Sequence, residues 1–232
     1  MKILFVVTSA DTLAPGHPTG VWLEEYAIPY VALSEAGIGV VVASPQGGAG
    51  PIDPKTTPDA AATARWAKAL DALSRTKPLS EVAEKDFDGV FLPGGHGPMV
   101  DLANDPAVAA LVGDFARADK IVAAVCHGPA ALLNVMGPDG QPLLKDRRAT
   151  GFTNGEETVV QLQSVVPFLL EDRMKAAGAK FEHSLVPFAC HVVSDGLLIT
   201  GQNPGSSEAV AKTLLETLAA RQAARIGVAP DA

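Results

Sequence analysis

KIVAAVCHGPAALL, residues 120–133, is the stretch of sequence that decides the fold. Ile121–Val125 is an unbroken apolar run with β-branched residues, which is typical of a fully buried strand. A Gly-Pro pair interrupts the run, and an alanine- and leucine-rich segment that reads as helical follows. A strand that enters a helix through so tight a turn resembles a nucleophile elbow, which holds one side chain above the edge of a sheet. The residues at this turn are Cys126 and His127.

Cys126 has two interpretations at such a turn. The backbone N–H groups and the positive dipole end at the start of a helix favour a thiolate, so a reactive cysteine with a depressed pKa is expected. Free cysteine is also among the most buried residue types, so an inert core cysteine is the alternative. The local pattern leaves both open.

Composition and charge narrow the class of protein. The 232 residues, 47% of them hydrophobic, suffice for one large α/β domain with a sizeable core. A net charge of −8 argues against nucleic acid or an anionic membrane surface as the partner. Two cysteines cannot form a disulfide framework, and the apolar run after Lys2 is too short for a signal peptide core or a membrane span. We therefore expect a cytoplasmic protein that does not bind a membrane.

Strands and helices alternate along the chain, which predicts a mostly parallel sheet flanked by helices. We interpret residues 1–232 as a single doubly wound α/β domain. Strands are predicted at 3–7, 39–43, 89–92, 121–125, 148–152, 180–184, 191–193 and 197–200. Helices are predicted at 21–36, 59–74, 105–118, directly after Cys126, at 166–177 and at 206–221.

The segments that follow the strands carry chemically useful side chains. In such sheets ligands bind beyond the carboxyl ends of the strands. The loop PGGHG (93–97) follows the third strand, and the helix after the first strand contains Glu24 and Glu25. Adjacent helical residues point about 100° apart, so only one of these glutamates can face a given sulfur atom. A thiol, an imidazole, a carboxylate and a glycine-rich loop at one crevice favour a thiol enzyme.

Six stretches of the chain, in order, carry a family resemblance. They are TGVWLEEYAIPY (19–30), ASPQGGAGPIDP (43–54), FLPGGHGPMVDL (91–102), AAVCHGPAALL (123–133), TGFTNGEE (150–157) and LITGQNPGSS (198–207). They resemble the ThiJ/PfpI superfamily and, within it, the branch of stress-inducible, glutathione-independent glyoxalase III proteins. The resemblance implies a flavodoxin-like fold of the class I glutamine amidotransferase type.

The resemblance also implies catalytic residues. The functional glutamate of the family stands four residues before a proline, which here selects Glu25, before Pro29, over Glu24. Cys126 would be the nucleophile, with the imidazole of His127 beside it. Burial near the sulfur is expected to raise the pKa of Glu25 and to let it hydrogen-bond as an acid.

Further residues complete the expected site. Glu157, the last residue of TGFTNGEE, would orient His127, and its neighbour Glu156 is the competing candidate. Gly94 and Gly95 would offer backbone N–H groups to a developing oxyanion. His96, in the same loop, is the candidate for substrate contact. His17, His183 and His191 lack metal-ligand spacing and no glycine-rich loop has a nucleotide-binding context, so neither a metal nor another cofactor is expected.

The implied reaction converts methylglyoxal to D-lactate without glutathione, through a hemithioacetal on Cys126. Either His127 or Glu25 would take the proton from the hemithioacetal carbon. The expected partners are a small 2-oxoaldehyde and a second copy of the chain, since this branch commonly forms homodimers. The alternatives are a cysteine peptidase, a protein deglycase, or a stress holdase that binds unfolded clients through exposed apolar surface.

Overall fold

A seven-stranded sheet forms the centre of the computed structural model, which describes residues 1–226. The strands are β1 (Lys2–Val6), β2 (Thr12–Ala14), β3 (His17–Pro18), β4 (Gly39–Ser44), β5 (Lys77–Pro78), β6 (Gly89–Leu92), β7 (Ile121–Val125), β8 (Arg148–Ala149), β9 (Lys180–Phe181), β10 (Val192–Asp195) and β11 (Leu198–Gly201). The order across the central sheet is β10-β11-β7-β6-β1-β4-β5. Neighbouring strands are parallel except for the β10–β11 hairpin, so the predicted mostly parallel sheet is confirmed.

Helices flank this sheet, as the alternating pattern predicts. They are α1 (Leu23–Glu35), α2 (Ala60–Arg65), α3 (Ala67–Leu73), α4 (Pro106–Arg117), α5 (Asn154–Val159), α6 (Leu170–Ala176) and α7 (Ser207–Ile226). Asp105 caps α4, since its carboxylate accepts hydrogen bonds from the backbone N–H groups of Ala107 and Val108. Within residues 1–226, no helix has the length and apolar character needed to span a bilayer.

The strands that carry the site are completely buried. Every residue of β6 and β7 is buried, as expected for parallel strands covered on both faces. The ring centroid of Phe5 on β1 lies 4.8 Å from that of Phe91 on β6 and 5.9 Å from that of Tyr26 on α1. Fully burying a side chain of this size stabilises the fold by roughly 1.5–3 kcal/mol. The loops of the site therefore begin from a rigid base.

Several predicted elements differ in the structure. The single helix predicted at 59–74 is divided at Trp66, whose buried indole joins Ala69 and Leu73 in the core while α2 buries no residue. The helix predicted at 166–177 begins only at Leu170, because Leu169 is still extended. The strand predicted at 148–152 ends at Ala149, because the chain then turns toward β7 and β11.

The helix predicted directly after Cys126 is instead a short 3-10 helix, Gly128–Leu132. The chain passes close to the end of β6 here, and a Cβ atom on Gly128 would lie 2.1 Å from the Leu92 carbonyl oxygen. Only glycine permits so close an approach. This approach places the Cys126 turn directly beside the loop that follows β6.

Candidate active site

Cys126 occupies a strained turn at the end of β7. Its φ angle is 59°, in the left-handed region that residues other than glycine rarely adopt. Two backbone hydrogen bonds of 2.9 Å hold it there: its N–H donates to the Gly201 carbonyl, and its carbonyl accepts from the Phe152 N–H. Such strain costs about 1–3 kcal/mol and persists only where the surroundings enforce it. The turn aims the thiol at the loops beyond the carboxyl ends of β6 and β7.

Glu25 reaches the thiol from α1. It is completely buried, and its Oε2 accepts a 3.0 Å hydrogen bond from the Gly94 N–H. Its other oxygen, Oε1, has no hydrogen-bond partner among the described residues. Glu24 is exposed and accepts a hydrogen bond from the Trp22 indole instead. The Cys126 thiol lies within hydrogen-bonding reach of this carboxyl group, so the structure places Glu25, and not Glu24, beside Cys126.

Burial decides the protonation of both Glu25 and Cys126. Desolvation raises the pKa of Glu25 to about 8, in the direction that the sequence predicts. Burial, and then the neighbouring Glu25, raise the pKa of the Cys126 thiol well above its usual range. The expectation of a depressed thiol pKa is therefore wrong. The short 3-10 helix offers little dipole, and a thiolate here would be buried against a carboxyl group.

His127 links the thiol to Glu157. Its Nδ1 lies 3.3 Å from the Cys126 sulfur, and its Nε2 lies 2.8 Å from Glu157 Oε2. All three side chains are buried. Burial, and then the neighbouring His96, lower the pKa of His127 to about 4, so the imidazole is neutral at physiological pH. A carboxylate only accepts hydrogen bonds, so the Nε2–H donates to Glu157 and the Nδ1 lone pair faces the thiol.

Glu156 and Glu157 have different partners, although they are adjacent at the start of α5. Glu156 belongs to a capping box with Thr153. Its carboxylate accepts hydrogen bonds from the Thr153 N–H and hydroxyl, the Phe188 N–H, and the side-chain amides of Gln202 and Asn203. Glu156 therefore holds three segments of the chain together, and Glu157 is the glutamate that hydrogen-bonds the His127 imidazole.

A model of the DJ-1/PfpI family matches residues 18–217 of this sequence. The chain belongs to the DJ-1/PfpI family. It is 27% identical to glyoxalase 3 of Candida albicans, over 93% of this chain and 97% of that relative. It is 28% identical to a glutathione-independent glyoxalase of Schizosaccharomyces pombe, over 93% and 95% of the two chains. The crystal structure of glyoxalase III from Candida albicans has a TM-score of 0.86 at 25% identity, covering 94% of this chain and 97% of that one.

The PGGHG loop of this DJ-1/PfpI protein contacts both Glu25 and Cys126. The Gly94 N–H is donated to Glu25, and the Gly95 N–H lies near both the Glu25 carboxyl group and the Cys126 sulfur, where it lowers both pKa values against the larger effect of burial. Gly95 has a φ of 89°, and a Cβ atom on it would lie 2.1 Å from the Gly20 carbonyl oxygen. The loop is therefore wedged between α1 and the Cys126 turn, and its role as an oxyanion site stays a prediction.

His96 is predicted to contact substrate, and in the structure its side chain hydrogen-bonds Glu157. Its Nε2 lies 2.9 Å from Glu157 Oε1, so Glu157 is shared between two imidazoles. His96 also borders a cavity of about 220 Å³, whose lining does not include Cys126 or Glu25. The cavity is lined further by Leu13, His17, Thr19, Asp53, Lys55 and Leu162. Neither the second imidazole nor this cavity could be read from sequence spacing, because the residues lie on separate loops.

His96, His127 and Glu157 bring together three side chains of the types that bind metal ions. One ligand atom each from His96, His127 and Glu157 lies within 4.8 Å of the others, and no other group of this kind is found within residues 1–226. In this arrangement each Nε2 donates its N–H to the carboxylate, so neither of these nitrogens offers a lone pair unless its proton is released. The geometry therefore describes a hydrogen-bonded cluster of one carboxylate and two imidazoles.

Cys190 and two more histidines lie elsewhere. Cys190 is exposed, and both it and Cys126 are free thiols. His183 hydrogen-bonds the Ser184 carbonyl, and the backbone N–H of His191 bonds the Ser206 hydroxyl. Of the two cysteines, only Cys126 has an imidazole and a carboxyl group packed against its sulfur.

Proposed function

We propose that this protein is a glutathione-independent glyoxalase that converts methylglyoxal to D-lactate, with Cys126 as the nucleophile. The observation that carries the proposal is the contact of one buried thiol with two proton-transfer groups. His127 offers an unprotonated Nδ1 at 3.3 Å from the sulfur. Glu25 offers a buried carboxyl group whose Oε1 has no partner among the described residues. A small carbonyl compound beside the sulfur would supply that partner.

The resting protonation suits addition to an aldehyde. Glu25 is a neutral acid because its pKa is about 8, His127 is a neutral base because its pKa is about 4, and Cys126 is a thiol. In the first step the sulfur bonds to the aldehyde carbon. The thiol proton passes to His127 Nδ1, and Glu25 gives its proton to the aldehyde oxygen. The product is a hemithioacetal beside a carboxylate and an imidazolium.

The next steps move the hydrogen from one carbon to its neighbour. The Glu25 carboxylate removes the proton from the hemithioacetal carbon, and the His127 imidazolium protonates the ketone oxygen to give an enediol. Glu25 then protonates the second carbon while His127 takes the proton of the first hydroxyl, which leaves a thioester. Water hydrolyses the thioester: Glu25 takes one water proton, and His127 returns its proton to the Cys126 sulfur. The products are lactic acid and the starting enzyme.

Glu157 supports these steps without touching substrate. Burial alone would raise its pKa, but hydrogen bonds from His127 and His96 outweigh burial and lower it to about 2. It therefore stays charged while the His127 imidazole gains and loses its proton, and it stabilises the imidazolium.

The position of the sulfur favours a small substrate. Cys126 is only 3% exposed. A small aldehyde such as methylglyoxal suits a sulfur so nearly enclosed, whereas an extended peptide needs an open groove.

We further propose that the chain is one domain and acts as a cytoplasmic homodimer. Light scattering of the purified protein measures the oligomeric state.

The test is the release of D-lactate from methylglyoxal in the absence of glutathione. We expect activity in the wild type and in Cys190→Ala, the matched control with its exposed thiol removed, and none in Cys126→Ala. Equal activity of Cys126→Ala and wild type would refute the proposal. Peptide and glycated substrates assayed in parallel separate peptidase and deglycase activities, and protection of an unfolded client by Cys126→Ala would identify a holdase.

A further inference from the structure

The Glu157 carboxylate bridges two imidazoles that come from different loops. His127 Nε2 lies 2.8 Å from Oε2, and His96 Nε2 lies 2.9 Å from Oε1. The centroids of the two rings are 4.0 Å apart at an interplanar angle of 40°. The reaction as proposed uses only one of these imidazoles. The second is buried at 6% exposure, so its contact with Glu157 is not an accident of a mobile surface side chain.

The backbone fixes the position of His96. The residue caps the 3-10 helix Gly97–Met99, and its carbonyl accepts the Met99 N–H at 3.1 Å. A Cβ atom on Gly97 would lie 2.5 Å from a side-chain carbon of Thr8, so the loop is packed tightly against the end of β1. His96 is thus presented to Glu157 by a rigid loop.

We propose that His96 is a positioning residue that shares the Glu157 carboxylate with His127. By doing so it holds Glu157 in place and keeps the His127 imidazole neutral, with Nε2 protonated and the Nδ1 lone pair facing the Cys126 thiol. One carboxylate must satisfy two N–H donors, so neither imidazole has the full negative charge to itself. Protonation of both rings would bring two positive charges to ring centroids 4.0 Å apart, which is unfavourable in a buried site.

The surroundings of His127 allow this effect to be separated from others. Glu157 and Glu156 face the ring from α5, His96 faces it from the PGGHG loop, and Cys126 lies at its Nδ1, with Glu25 beyond the sulfur. After burial, His96 has the largest effect that lowers the pKa of His127, while both glutamates raise it. Removing His96 must therefore move the titration of His127 toward neutral pH.

Two substitutions of similar polarity form a matched pair. The amide nitrogen of glutamine reaches about as far as histidine Nε2, so His96→Gln retains a donor to Glu157 Oε1. The amide of asparagine reaches only as far as Nδ1, so His96→Asn loses that donor while keeping a polar side chain. We expect His127 to titrate at least about one pH unit higher in His96→Asn than in wild type. His96→Gln should lie closer to wild type.

Nitrogen-15 NMR of the histidine rings gives the direct readout. In the wild type at neutral pH, His127 should carry its proton on Nε2 and none on Nδ1, and His96 should also carry a proton on Nε2. A proton on His127 Nδ1 would overturn the proposal without any variant. Identical His127 titrations in wild type and His96→Asn would also overturn it.

The inference rests on the proposed function in taking His127 as the base, but its readouts need no substrate. Besides the NMR titration, the second readout is the pH dependence of Cys126 alkylation by iodoacetamide in a Cys190→Ala background. The acidic limb of the rate should move upward in pH in His96→Asn and move less in His96→Gln, which keeps the donor to Glu157 but not the ionisable ring. A lack of lactate release with these shifts present refutes only the glyoxalase. If His96→Asn changes the KM for methylglyoxal but leaves the titration of His127 unchanged, the positioning role is refuted and His96 is a substrate contact.

Discussion

Replacing Glu25 with glutamine should change the pH dependence of folding stability. In the folded chain the pKa of Glu25 is about 8, against an ordinary value of 4.5. Between these pH values the folded chain keeps a proton that the unfolded chain has released. The linkage relation then makes the free energy of unfolding fall by about 1.4 kcal/mol for each pH unit. At pH 7 the accumulated loss in the wild type is about 3 kcal/mol.

Glu25→Gln has nearly the same shape but does not titrate, so it removes this loss. Any gain or cost from its hydrogen bonds is the same at every pH. The difference in unfolding free energy between variant and wild type should therefore grow by about 3 kcal/mol from pH 4.5 to pH 7 in favour of the variant, and level off above about pH 8.

Urea denaturation at a series of pH values measures this difference. Glu24→Gln, which alters an exposed side chain of the same helix, is the control and should follow the wild type. Turnover by Glu25→Gln should meanwhile fall about 100- to 10,000-fold, because the amide cannot exchange a proton with substrate. Stability curves of Glu25→Gln and wild type that run parallel between pH 4.5 and pH 8 would show that Glu25 is ionised in the folded protein. The proposed role as an acid would then be refuted.

The remaining predictions concern the paired glutamates and the two thiols. Glu156→Ala should lower the free energy of unfolding by about 3 kcal/mol or more, since it strands several buried donors. Glu157→Ala should instead reduce kcat with a smaller loss of stability. If denaturation and kinetics showed that Glu157→Ala mainly destabilises the fold and Glu156→Ala mainly lowers kcat, the structural and catalytic roles of the two glutamates would be reversed. At neutral pH a bulky thiol reagent should label exposed Cys190 before Cys126. If mass spectrometry found Cys126 labelled first, Cys126 would be a thiolate at neutral pH, contrary to the effect of burial on its pKa.

The sequence predicts the framework of the site well because its signals are local. A buried apolar run that ends in Cys-His and Gly-Pro predicts a strand followed by a tight turn. The family resemblance, in which the functional glutamate stands four residues before a proline, selects Glu25, which is the glutamate that lies beside the sulfur. Strand alternation places these segments at one edge of a parallel sheet. Each of these inferences depends on residues close together in the chain.

What sequence misses depends on contacts between distant segments. The thiol pKa is raised because residues from α1 and the turn bury the sulfur together, and no window around Cys126 contains that information. The second imidazole on Glu157 comes from a residue 61 positions away. The short 3-10 helix after Cys126 follows from the close approach of Gly128 to β6. In each case tertiary packing overrides the local preference.

The wedged PGGHG loop bears on how the protein folds. Gly95 meets the Gly20 carbonyl with no room for a side chain, and the Gly94 N–H binds a glutamate 69 residues away. Before these segments dock, Glu25 is solvated and ionised at neutral pH; afterwards it is a neutral acid. Folding must therefore consume a proton from the solvent, and it does so at the step that closes the site. In weakly buffered solution, a pH indicator dye would time the completion of the site separately from the collapse of the sheet.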